Sequence, residues 1–75
     1  MQRYKNLHHN SGVTAYEIGD DSIQIEFGGE SVYLYTCQST GRPNIEKMKR
    51  LARAGVGLST FISQKVKDSY AAKLR

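Results

Sequence analysis

The residues of this chain that could do chemistry are its tyrosines, its cations and one pair of histidines. Tyr33 and Tyr35 sit two apart in the stretch Ser31-Val32-Tyr33-Leu34-Tyr35-Thr36. A strand sends alternate side chains to opposite faces, so the tyrosines share one face and Val32 and Leu34 the other. Two rings on an open sheet face can stack nucleobases. Such platforms usually carry basic neighbours, and every charged residue on the predicted strands is acidic. Glu26 and Glu30 would repel a phosphate backbone, so packing is the expected role of the tyrosines.

The cations are the stronger candidates for binding. Residues 10–36 hold Glu17, Asp20, Asp21, Glu26 and Glu30 with no Lys or Arg, a balance of −5. Residues 37–75 hold nine basic and two acidic residues, a balance of +7. Lys47, Lys49, Arg50 and Arg53 spread over the face of a predicted helix opposite Ile45, Met48 and Leu51. With Arg42 and Lys65 they form the candidate phosphate-binding set. Glu46 can pair with Arg50 one turn on and offset part of that charge. Lysine and arginine contacts to phosphates carry little sequence information. The same cations could instead be only a solvated helix face, and the basic half could also meet the acidic half of a second copy.

Other chemistry finds little support. Adjacent His8 and His9 do not converge on a metal in an extended segment, and no cysteine or carboxylate cluster accompanies them. A general base held in a loose arm is poorly positioned. Cys37 is the sole cysteine, so no internal disulfide forms, and nothing beside it activates the thiol. Gly55-Val56-Gly57-Leu58-Ser59-Thr60 could cradle an anion at a helix start, but lacks the lysine of a phosphate-binding loop and reads as a glycine-capped connector. The expectation is a protein that is not an enzyme and needs no metal or cofactor.

The chain's 75 residues suit one domain with a modest core. No apolar run is long enough to span a bilayer, and the polar start MQRYKNLHHNSG has no hydrophobic signal region. The reading is a soluble cytoplasmic protein with no membrane partner: an arm at residues 1–9, then a single domain at 10–75.

The elements that must position these residues follow from spacing. A first strand is expected from Gly12 to Ile18, closed by the Gly19-Asp20-Asp21 turn. A second, Ser22 to Phe27, alternates Ile23, Ile25 and Phe27 against Ser22, Gln24 and Glu26. Gly28-Gly29 marks a hairpin into the third strand, Ser31 to Thr36. Cys37 to Pro43 reads as a polar loop. A helix follows from Asn44 to Ala54, opened by Pro43 and closed by Gly55. A second helix runs from Leu58 or Ser59 to Leu74 on the spacing of Leu58, Phe61, Ile62, Val66, Tyr70 and Leu74, with Ser59 or Thr60 as its cap. The fold class is α+β: a three-stranded antiparallel meander followed by two helices packed on one face, in the order β-β-β-α-α.

Loop length sets which way the tyrosines point. A Gly28-Gly29 loop puts Ile25 opposite Val32 and leaves the tyrosines with Gln24 and Glu26. A loop of Gly28-Gly29-Glu30 puts Ile25 opposite Tyr33 and Ile23 opposite Tyr35, on the core face. The glycines alone favour neither.

In its order of motifs the chain resembles the KTSC family, a small bacterial domain found alone and at the C-terminus of some lysyl-tRNA synthetases. The family's marks are Tyr-x-Tyr after a glycine turn and a late apolar segment ending in Val/Ile-x-x-x-Tyr. Here these are Gly28-Gly29 before Tyr33-Leu34-Tyr35, and Phe61-Ile62 before Val66-Lys67-Asp68-Ser69-Tyr70, so that the likeness spans roughly residues 11 to 72. The middle residue of the family's Tyr-x-Tyr is often polar, which implies that Tyr33 and Tyr35, like Tyr70, are structural and face inward. The departure at Leu34 leaves Val32 and Leu34 as an apolar pair on the other side of an edge strand, to be covered by the arm or a second subunit. The synthetase context implies RNA as a partner. The combined expectation is a non-enzymatic RNA-binding module working through its basic helical half, with a protein-interaction or homodimerisation module as the alternative.

Overall fold

The computed structural model describes residues 1–7, 9 and 11–75. Among the described residues, five strands form one antiparallel sheet in sequence order: β1 (Gln2–Arg3), β2 (Val13–Ile18), β3 (Ser22–Phe27), β4 (Ser31–Thr36) and β5 (Ala72–Lys73). Between β4 and β5 lie α1 (Cys37–Thr40), α2 (Arg42–Ala54), α3 (Leu58–Phe61) and a π-helical turn at Ile62–Val66.

The expected α+β class and central β2–β3–β4 meander are present, but the count of three strands and two helices is corrected at both ends. Gln2–Arg3 pairs with Tyr16–Ala15, and Tyr4, at 3% exposure, is in the core. Its hydroxyl accepts from the Leu58 backbone N–H at 3.3 Å. Gln2, Arg3 and Tyr4 of the expected arm therefore contribute a strand and a core ring. Of the histidine pair, His8 lies outside the described residues and His9 is exposed.

The second correction concerns the last third of the chain. The helix expected through Leu74 ends at Val66. Lys67 leaves helical geometry at φ 27°, ψ −101°, while its N–H still donates to the Ile62 carbonyl at 2.6 Å. The wider π turn keeps both Ile62 and Val66 buried. The segment beyond then runs along the open edge of β4. Ala71 and Leu74 donate to the carbonyls of Leu34 and Val32, and Val32 donates to the Arg75 carbonyl. An unpaired strand edge is a row of unmet hydrogen-bonding groups. Meeting them prevails over the helical spacing of Val66, Tyr70 and Leu74.

Local signals explain the remaining elements. Cys37 to Thr40, expected as loop, forms a single turn because Thr36 and Ser39 make a reciprocal capping box. The helix starts earlier than expected, at Arg42, with Pro43 in its first turn. It stops at Gly55, which is left-handed at φ 80° and donates to the Leu51 carbonyl. Gly57, not Ser59 or Thr60, occupies the cap of α3.

All helices lie on one face of the sheet. Ile45, Met48 and Ala52 of α2, with Leu58, Ile62 and Val66, pack on Val13, Tyr16, Ile23, Ile25 and Tyr35. Burying each large aliphatic side chain stabilises by roughly 1.5–3 kcal/mol. An irregularity between Val13 and Ala15 shifts the register of β2. It lets Val13 and Tyr16 both face the core despite their odd spacing.

Candidate nucleic-acid interface

The hairpin between β3 and β4 has three loop residues. Phe27 pairs with Ser31, Ile25 with Tyr33 and Ile23 with Tyr35, and Gly28 and Gly29 both take positive φ. This is the register that turns the tyrosines toward the helices. Tyr35 is 2% exposed and belongs to the core, whereas Tyr33 is half-buried at its edge. Burial first, then the neighbouring Tyr33, Tyr70 and Asp68, push the Tyr35 hydroxyl up to about 12.

Tyr70 swings in from the segment after the π turn. Its ring centroid lies 4.7 Å from that of Tyr33 and 6.2 Å from that of Tyr35, both edge-on. Phe27 meets Tyr33 edge-on at 5.7 Å. The three tyrosines of the Tyr-x-Tyr and Val-x-x-x-Tyr motifs thus form one cluster. They line a cleft of about 360 Å³ together with Phe27, Lys67 and Asp68. The Lys73 ammonium sits 5.9 Å from the Tyr33 ring centroid. Sequence reading gave Phe27, Lys67, Asp68 and Lys73 no role in a site; the approach of the last three depends on the chain reversal at Lys67.

Val32 and Leu34 face the other side of the sheet, in a strand that is not an edge. Pairing with β5 flanks them with the C-terminal segment, and Val32 is 5% exposed while Leu34 is partly so. Met1 of the arm lines a shallow cleft on this face together with Val32, Leu74 and Arg75. Arg75 pairs with Glu26 at 2.8 Å.

Of the six candidate phosphate contacts, Arg42, Lys47, Arg50, Arg53 and Lys65 are exposed. Lys49 is a correction. It is 6% exposed, donates to the Asp20 carbonyl at 2.8 Å and lies 3.6 Å from Glu46. Its long stem lies against the core side of α2, so its head reaches the β2–β3 turn and not solvent. Glu46 accordingly faces Lys49, where a pair with Arg50 had been expected. Among the described residues, the ion pairs are Met1–Glu17, Lys49–Glu46 and Arg75–Glu26. None uses the five exposed cations. Four of these lie on α2, over a rise of about 16 Å at 1.5 Å per residue.

Glu17 and Glu26 point to the sheet face away from the helices, by alternation with Tyr16 and Ile25. Gly55 and Gly57 serve as helix caps, and α3 is a single turn, so the connector's expected capping role is the one its geometry fits. Among the described residues, no group of three His, Cys, Asp or Glu side chains could hold a metal ion, and no helix is long and apolar enough to cross a membrane.

Compared with protein-family models, curated proteins and solved structures, the chain matches none.

Proposed function

We propose that this protein is a non-enzymatic RNA-binding module whose phosphate contacts are Arg42, Lys47, Arg50 and Arg53 on α2, with Lys65 beyond them. The observation that carries this reading is the row of exposed α2 cations outside every ion pair among the described residues. Cations not partnered within the fold are free to replace the counterions of a phosphate backbone. The net charge of +4 adds long-range attraction. Membership of the KTSC family is part of the same proposal. It is supported by the convergence of Tyr33, Tyr35 and Tyr70, the residues that carry the resemblance.

The test is RNA affinity as a function of salt. Four phosphate contacts on a single strand give a slope of about −3 in log K against log salt, so a fourfold rise in salt weakens binding about fiftyfold. The variant Arg50→Glu/Arg53→Glu should abolish most of that binding and flatten the slope. Absence of binding even at low salt, where phosphate contacts are strongest, refutes the proposal.

A further inference from the structure

The cleft between β4, the π turn and Tyr70 is separate from the α2 cations, and its construction is specific. We infer that it takes a single unstacked nucleobase, with the attached phosphate held by Lys67 and Lys73. This rests on the RNA-binding reading above and adds to it a preference for single strands.

Three observations carry it. The first is shape and surface. Phe27, Tyr33 and Tyr70 are each only partly buried and line a cleft of about 360 Å³ over the buried Tyr35, within the size range of small-molecule sites. Partly exposed rings offer π-surface to a planar base of any sequence. The second is charge. Lys67 lines the cleft and the Lys73 ammonium lies over the Tyr33 ring, giving two cations against the single carboxylate of Asp68. A cationic ligand, the usual guest of an aromatic cage, would meet both lysines. An aromatic ring bearing an anion suits the same surroundings. Asp68 is then available to accept from an exocyclic amino group on a base edge, as acidic side chains do.

The third observation is strain. Lys67 holds φ 27° directly after a π turn, a conformation that glycine would adopt more readily. Non-glycine residues in such conformations cluster at binding sites, and π turns recur there. Here the reversal at Lys67 brings Lys67, Asp68 and Tyr70 to one cleft.

The experiment is a titration of ¹⁵N-labelled protein with GMP, AMP, CMP and UMP, and with ribose 5-phosphate as the ligand without a base. The amides of Tyr33, Lys67, Asp68 and Tyr70 should shift saturably with the nucleotides, least with UMP, which lacks an amino group. Ribose 5-phosphate should bind weaker by about 5- to 150-fold, the range of one base–aromatic stack. Lys67→Gly, which removes the ammonium and relieves the backbone, should fold normally and weaken all four nucleotides together. Asp68→Asn should reduce the differences between bases. Absence of saturable cleft shifts at millimolar nucleotide overturns the inference, as does equal binding of ribose 5-phosphate. The two readings fail separately. Salt-sensitive RNA binding lost in Arg50→Glu/Arg53→Glu without cleft shifts removes the base site alone. Cleft shifts without RNA affinity at low salt remove the α2 interface alone.

Discussion

The rings of Tyr33 and Tyr70 meet edge-on with centroids 4.7 Å apart, joining β4 to the segment after the last helical turn. The contact holds Lys67 and Asp68 beside the cleft and leads the chain into β5. Tyr70→Ala removes both tyrosine contacts and should cost about 2 kcal/mol, below the 3–5 kcal/mol of a fully buried aromatic because Tyr70 is only partly buried. For a domain of this size that lowers the melting temperature by about 8–16 °C. Tyr70→Phe keeps the ring pair and should remain within about 1 kcal/mol. Equal losses in urea titrations of the two variants would place the stabilisation in the hydroxyl.

Neighbouring cations on α2 should behave oppositely. Lys49→Ala deletes a buried stem and a charged hydrogen bond to the Asp20 carbonyl, and should destabilise by about 1.5–3 kcal/mol. Its RNA affinity, measured where the variant is still folded, should be unchanged. Arg50→Ala should lie within about 0.5 kcal/mol of the parent protein in stability and weaken RNA binding. Melts and binding curves on both variants check this.

The hydroxyl of Tyr35, raised from its ordinary value to about 12 by burial and by Tyr33, Tyr70 and Asp68, ties stability to alkaline pH. The folded chain holds this proton more tightly than the unfolded chain. The contribution is therefore fully present below pH 10 and lost as pH rises from 10 to 12, by about 2 kcal/mol. Tyr35→Phe has no proton to lose there. The difference in stability between parent and variant should change across that window and be flat below it. A constant difference up to pH 12 would show that Tyr35 ionises as freely in the fold as outside it.

How much of this was legible in the sequence depends on how local each cause is. The alternation of Ile23 and Ile25, the glycines at 28 and 29, Pro43 and Gly55 mark β3, the hairpin and α2 almost in place, because pleat, turn and cap are set by near neighbours. The basic half and its concentration on one helix were equally plain. Three outcomes were not local. The register that turns Tyr33 and Tyr35 inward depends on one extra loop residue, Glu30, which flips every side chain of β4. The fate of Lys49 depends on a carbonyl at Asp20, in a different part of the chain.

The last third of the chain shows the division most clearly. By itself, the sequence determined that Val66, Tyr70 and Leu74 are apolar at helical spacing, and a helix was the correct local answer. The tertiary structure offered the same residues a competing set of partners: the open edge of β4 for the backbone, and the rings of Tyr33 and Tyr35 for Tyr70. Backbone groups along a sheet edge must find partners, and an aromatic ring is stabilised by burial beside other rings. Those two requirements, visible only once β4 is in place, ended the helix at Val66 and brought a lysine, a carboxylate and three tyrosines to one cleft.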